Sequence, residues 1–84
     1  MSPDAAEQHR AAILAKHVRM ANQIATFFET KPEAEGVAGT AAHINDFWEP
    51  RMRKQLLDHI AAGGAGLRPL VMAAAGHIRK PVAA

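Results

Sequence analysis

Residues 43 to 56 read HINDFWEPRMRKQL and gather a histidine, two carboxylates, the chain's one tryptophan and three cations around a proline. Four kinds of chemistry use such residues. His43 and Asp46 stand three apart, on one face if the segment is helical, and Glu49 or His59 could add an acid–base partner or a metal ligand. Arg51, Arg53 and Lys54 beside Trp48 could hold a phosphate under a stacked ring. Phe47, Trp48, Arg51 and Met52 are residue types that anchor protein interfaces.

Catalysis has little else to draw on. The chain has no cysteine and no tyrosine, and its one serine is Ser2. A Ser-His-Asp set, a thiolate nucleophile and cysteine-bound zinc are all missing their first member. The five histidines, His9, His17, His43, His59 and His77, are dispersed, so we expect no catalytic residue and no metal site. His17 falls within an apolar stripe, where the plain expectation is a buried imidazole donating to a backbone carbonyl.

Gly63, Gly64 and Gly66 lack the lysine and hydroxyl residue of a phosphate loop. A net charge of +2 is too small for broad duplex binding. An anion site built from Arg51, Arg53 and Arg68, taking a phosphate or a pterin dinucleotide, remains as an alternative reading. For the aromatic pair the alternative to docking is the protein's own core. Adjacent helical residues point about 100° apart, so one of Phe47 and Trp48 can face inward and the other outward.

The elements that position these residues read as helices throughout. From Ala5 to Phe28 there is no glycine or proline, and Ser2-Pro3 offers a start. Apolar side chains recur at 13, 17, 20, 24, 27 and at 14, 18, 21, 25, 28, a wide stripe on one long amphipathic helix. Lys31-Pro32 ends it. Pro32, with Glu33 and Glu35 after it, can open a second helix carrying Val37, Ala41, Ile44 and Trp48. Gly36 and Gly39 cost about 1 kcal/mol each in a helix interior. We therefore expect the shorter version, a loop to Gly39 with Thr40 as N-cap, or a frayed first turn. Glycines three apart would also let another helix approach closely.

Pro50 turns the chain, and Arg51 to Ala62 forms a third helix with Met52, Leu56 and Ile60 inward. AAGGAG, residues 61–66, stops it. A short fourth helix starts at Pro69 and carries Leu70, Val71, Ala74 and Ile78, with a weak end at Gly76 and Pro81. No segment alternates as a strand would. The expected fold is all-α, a small bundle of three to four helices in one domain over 1–84, with frayed ends near 1–4 and 80–84.

Composition adds limits. Nearly half the 84 residues are apolar, but many are alanine, so large core side chains are few and a partner surface is the natural source of further burial. Residues 1–50 carry seven acids against four Lys or Arg, and residues 51–84 carry six Lys or Arg against Asp58 alone. The second half thus suits an acidic partner or a phosphate. No apolar run nears the roughly 18 residues of a membrane span, and MSPDAAEQHR lacks the order of a signal peptide. A cytoplasmic protein is expected, with no membrane and no nucleic-acid partner.

Three stretches together resemble a known family. MANQIATFF (20–28), AAHINDFWEPRMRKQL (41–56) and GLRPLVMAAAGHIR (66–79) are similar, in order and spacing, to the delta subunit of NAD-dependent, molybdenum-containing formate dehydrogenase. Residues 1 to about 15 depart from it, and nothing is carried over for them. The resemblance implies a non-catalytic accessory subunit that supports assembly, maturation or stability of a cytoplasmic complex. Formate dehydrogenase catalytic subunits would be the partners and would carry the molybdenum bis-pterin cofactor, iron-sulfur clusters and flavin, with none in this chain. Our expected docking surface is Asn22, Gln23 and Phe27 on the first helix with His43, Phe47, Trp48, Arg51 and Met52 around the corner. A homodimer through the apolar helix faces is a third reading.

Overall fold

A computed structural model describes residues 4–81. They form α1 (Ala5–Phe28), α2 (Glu33–Phe47), α3 (Pro50–Ala61) and α4 (Pro69–Ala74), followed by a 3-10 turn over Ala75–His77. No strand occurs among the described residues, as the all-α expectation required. Ser2 and Pro3, and the fraying expected at 1–3 and 82–84, lie outside the described residues. The N-cap of α1 is Asp4, whose carboxylate accepts the Glu7 N–H at 2.7 Å.

Helix α1 and helix α2 pack through rows of every fourth residue. His17, Ala21 and Ala25 are the buried side of α1, and Gly36, Thr40 and Ile44, continued by Trp48, are buried along α2. Rows of this spacing interdigitate when two helices cross, and small residues in them bring the axes close. The helices run antiparallel: Phe28 lies against Gly36 and Gly39 at one end, and His17 against Trp48 at the other.

The shorter α2 is not what forms. The helix starts at Glu33, with Glu33 and Glu35 in its first turn and Gly36 N–H bonded to the Pro32 carbonyl at 2.9 Å. The glycines that argued against it are filled by a neighbour. A Cβ on Gly36 would stand 2.9 Å from the Phe28 carbonyl oxygen, and one on Gly39 would overlap the Phe28 ring. Packing against Phe28 therefore offsets the propensity cost that favoured a loop. Glycine spacing was correctly tied to close approach, and incorrectly to a late helix start.

Helix α3 begins at Pro50 and ends within the AAGGAG stop, where Gly63, Gly64 and Gly66 all take positive φ. Gly64 N–H bonds back to the His59 carbonyl at 2.9 Å, the wrap that a left-handed residue permits after a helix. The core is small: Ala21, Ala25, Ala41, Ile44, Trp48, Leu56, Val71, Ala74 and Ile78, with Met20, Ile24, Val37, Met52, Leu57, Ile60, Leu67 and Leu70 packed around it.

Candidate functional site

The Pro50 corner separates its two aromatics cleanly. Trp48 is only 4% exposed and Phe47 is 74% exposed. Helix α2 ends at Phe47, and Trp48 is extended (φ −96°, ψ 134°) with its N–H still bonded to the Ile44 carbonyl. Its ring turns inward onto His17, 5.6 Å between centroids. Trp48 is thus a core residue, and the docking role expected of it is not available to a side chain placed there. Phe47 points out, its ring 4.7 Å from that of His43. Arg51 is exposed on the first turn of α3, while Met52 is half-buried against the core.

Arg53 fastens the corner. Its guanidinium donates to the Trp48 carbonyl at 2.8 Å and to the Arg79 carbonyl at 3.1 Å. Arg68 is held elsewhere, donating two hydrogen bonds to the Glu29 carboxylate at 2.7 and 2.8 Å. Those bonds, with the guanidinium's charge, hold the Glu29 carboxyl below its ordinary range. His17, at the Arg53 end, and Glu29 are twelve residues apart along α1, about 18 Å at 1.5 Å per residue. Arg51, Arg53 and Arg68 therefore do not converge on one anion.

The first-helix residues proposed for docking also divide. Gln23 is exposed, and Phe27 is 61% exposed, edge-on to Phe28 with the Lys31 ammonium 5.7 Å from its ring centroid. Phe27 neighbours the Gly39 level of α2, and Phe47 is eight residues further on, roughly 12 Å along the axis. Phe27 therefore does not join Phe47 in one compact patch.

Asn22 does something the sequence did not announce. Its side-chain amide donates to the Gly66 carbonyl and accepts the Arg68 N–H, both at 2.9 Å. Asn45 repeats the arrangement, donating to the His77 carbonyl at 3.0 Å and accepting the Arg79 N–H at 2.8 Å. In each case one amide grips the backbone groups on either side of a single residue, Leu67 or Ile78, whose side chain goes to the core. These two clamps tie the α3–α4 loop to α1 and the C-terminal strap, residues 77–79, to α2. A mid-helix asparagine with a buried row beside it is the only sequence signal, and its partners lie 32 to 46 residues away.

His17 is 5% exposed, and its Nδ1 is buried without a hydrogen-bond partner. The expected bond from this imidazole to a backbone carbonyl is not made at Nδ1. The Trp48 ring faces it instead, because the row spacing brings the corner onto α1. Burial, aided by Lys16, pushes the imidazole below its ordinary value of 6.5. The unfolded chain then takes up a proton first, so stability is full above about pH 6.5 and falls as pH drops through the folded value. We expect the melting temperature to fall between pH 7.5 and 5.5, and His17→Gln to remove part of that fall in thermal scans.

Among the described residues no three His, Asp or Glu side chains gather as a metal site, and no helix is long and apolar enough to cross a membrane. What these elements define is a small all-helical protein whose long-range side-chain hydrogen bonds mostly hold its own backbone, with an exposed aromatic and arginine at one corner.

The family can be stated directly. The chain belongs to the family described as NADH-dependant formate dehydrogenase delta subunit FdsD, whose model matches residues 16–75. The match contains the Asn22 clamp, the Pro50 corner and the Arg68–Glu29 pair. It begins where the resemblance to the delta subunits gave out, near residue 15. No curated protein and no solved structure matches the chain.

Proposed function

We propose that this chain is a non-catalytic accessory subunit of a cytoplasmic formate dehydrogenase, docking on the catalytic subunits and supporting assembly, maturation or stability of the complex. The observation that carries the reading beyond the family is Phe47. A large apolar ring, mostly exposed, stands just before the Pro50 corner, and exposed Arg51 stands just after it. Buried Trp48 and the Arg53 bond to its carbonyl hold that corner. A fixed aromatic and an arginine are the anchors that bury most at an interface, and a pre-set corner loses little freedom on binding.

The docking residues are Phe47 with His43 tilted against it, Arg51, and the exposed edge of Met52. Gln23 and Phe27 offer a further contact near the other end of α1. Trp48 and Asn22 serve the surface indirectly, by fixing its scaffold. The molybdenum bis-pterin cofactor, iron-sulfur clusters and flavin belong to the partner subunits, and this chain supplies no ligand to them. The anion reading is weaker, since Arg53 and Arg68 are each already engaged within the fold.

The test is the complex purified from cells lacking this protein. Reduced molybdenum content, reduced formate oxidation or a complex that falls apart is expected. Full cofactor loading with normal activity and cohesion would contradict the accessory role.

A further inference from the structure

Helix α2 has a second outward side. Phe47 and Ala38 are nine residues apart, which at about 100° per residue puts them on opposite sides of the helix. On the Ala38 side a groove of about 600 Å³ runs along α2 over Ala34, Val37, Ala38 and Ala41 and ends at Asn45 and His77. Its two ends differ in charge. Glu33 lines the start. The other end is cationic: Arg79 donates from its guanidinium to the Asn45 carbonyl at 3.3 Å, Arg53 reaches the Arg79 carbonyl, and Lys80 follows. Arg53 and Arg79 bond to neutral carbonyls, so their charge is not cancelled. Among the described residues the ion pairs are Lys54–Asp58 and Arg68–Glu29, neither of which involves this group.

We propose that this groove is a second docking surface, and that it takes an amphipathic helix of a partner subunit with acidic side chains placed over Arg79 and Lys80. A helix suits it because the floor is itself a helical ridge, with side chains at 34, 37, 38, 41 and 45, and such a ridge fits the groove of another helix. Charge selects the occupant and its direction. The acidic end must lie over the strap, and Glu33 repels it at the other. With Phe47 facing the opposite way, the protein joins two partner surfaces instead of capping one. This inference rests on the docking reading above.

The experiment is capture of the formate dehydrogenase catalytic subunits by the full chain and its variants at low salt and at about 0.5 M salt, where surface charge is largely screened. Ala38→Trp fills the groove at an exposed position. Arg79→Glu with Lys80→Glu reverses its charged end, and Lys80→Glu alone keeps the Arg79 bond. Each is expected to weaken capture about tenfold. The melting temperature should be unchanged in Ala38→Trp and Lys80→Glu, which leave the Arg79 bond to the Asn45 carbonyl in place. The charge variants should also lose most of the salt dependence. Undiminished, equally salt-sensitive capture by folded Ala38→Trp and Lys80→Glu, with capture lost in Phe47→Ala/Arg51→Ala, would overturn the groove and leave the docking reading standing. A dimer of the isolated protein that Ala38→Trp abolishes would overturn it too, by making a second copy the occupant. No capture by the unaltered chain would defeat both.

Discussion

Trp48→Ala is expected to remove about 3–5 kcal/mol of stability, the usual effect of deleting a large buried ring. For a chain of this length that is a large part of a total near 4–13 kcal/mol. The ring is almost fully enclosed and lies on His17, while the residue's backbone terminates α2 and receives Arg53. Removing it empties the α1–α2 contact and loosens the Pro50 corner together. Urea unfolding followed by helical circular dichroism measures this, with Trp48→Phe expected to fall between the alanine variant and the parent. An alanine variant within about 0.5 kcal/mol of the parent, the range of ordinary surface changes, would mean that the ring is not core. The consequence for function is direct. Partner capture lost in Trp48→Ala would report unfolding, so Phe47 and Arg51 are the informative positions.

The second large effect belongs to the asparagine clamps. Asn22→Ala and Asn45→Ala each remove two long-range hydrogen bonds to exposed backbone groups, and an ordinary hydrogen bond contributes about 0.5–1.5 kcal/mol net. We expect roughly 1–2 kcal/mol for each variant. Asp at either position should recover only the accepting half, since a carboxylate takes the N–H of Arg68 or Arg79 but gives nothing to the carbonyl of Gly66 or His77. Thermal melts rank parent above Asp above Ala. Hydrogen exchange adds a local readout: Asn45→Ala should speed exchange at the Arg79 amide while leaving Arg68 protected, and Asn22→Ala the reverse. Equal acceleration at both would contradict two separate clamps.

The helices were legible because they depend on local chemistry. The 24-residue α1 shows its stripe, its proline boundary and the absence of glycine. The proline corner and the AAGGAG stop are equally local. What escaped was set by distant neighbours. Gly36 and Gly39 read as helix breakers until Phe28 is seen filling the space beside them. Asn22 read as a surface contact because nothing nearby in sequence reveals Gly66 and Arg68 as its partners. Arg68 was grouped with Arg51 and Arg53 by type, and Glu29 draws it away. The choice between Phe47 and Trp48 was open, since the stagger of two adjacent residues says that one turns in without saying which. Burial of Trp48 is decided by where the last turn of α2 unwinds.

The central claim is docking on formate dehydrogenase through the exposed corner. Its most direct test is capture of the catalytic subunits by the parent protein and by Phe47→Ala/Arg51→Ala, with melting temperatures measured beside it. Both substituted side chains are exposed, so the variant should melt close to the parent while capture weakens by about tenfold to a hundredfold, the loss typical of truncating two anchors. A folded variant that captures the catalytic subunits as well as the parent does would contradict the claim.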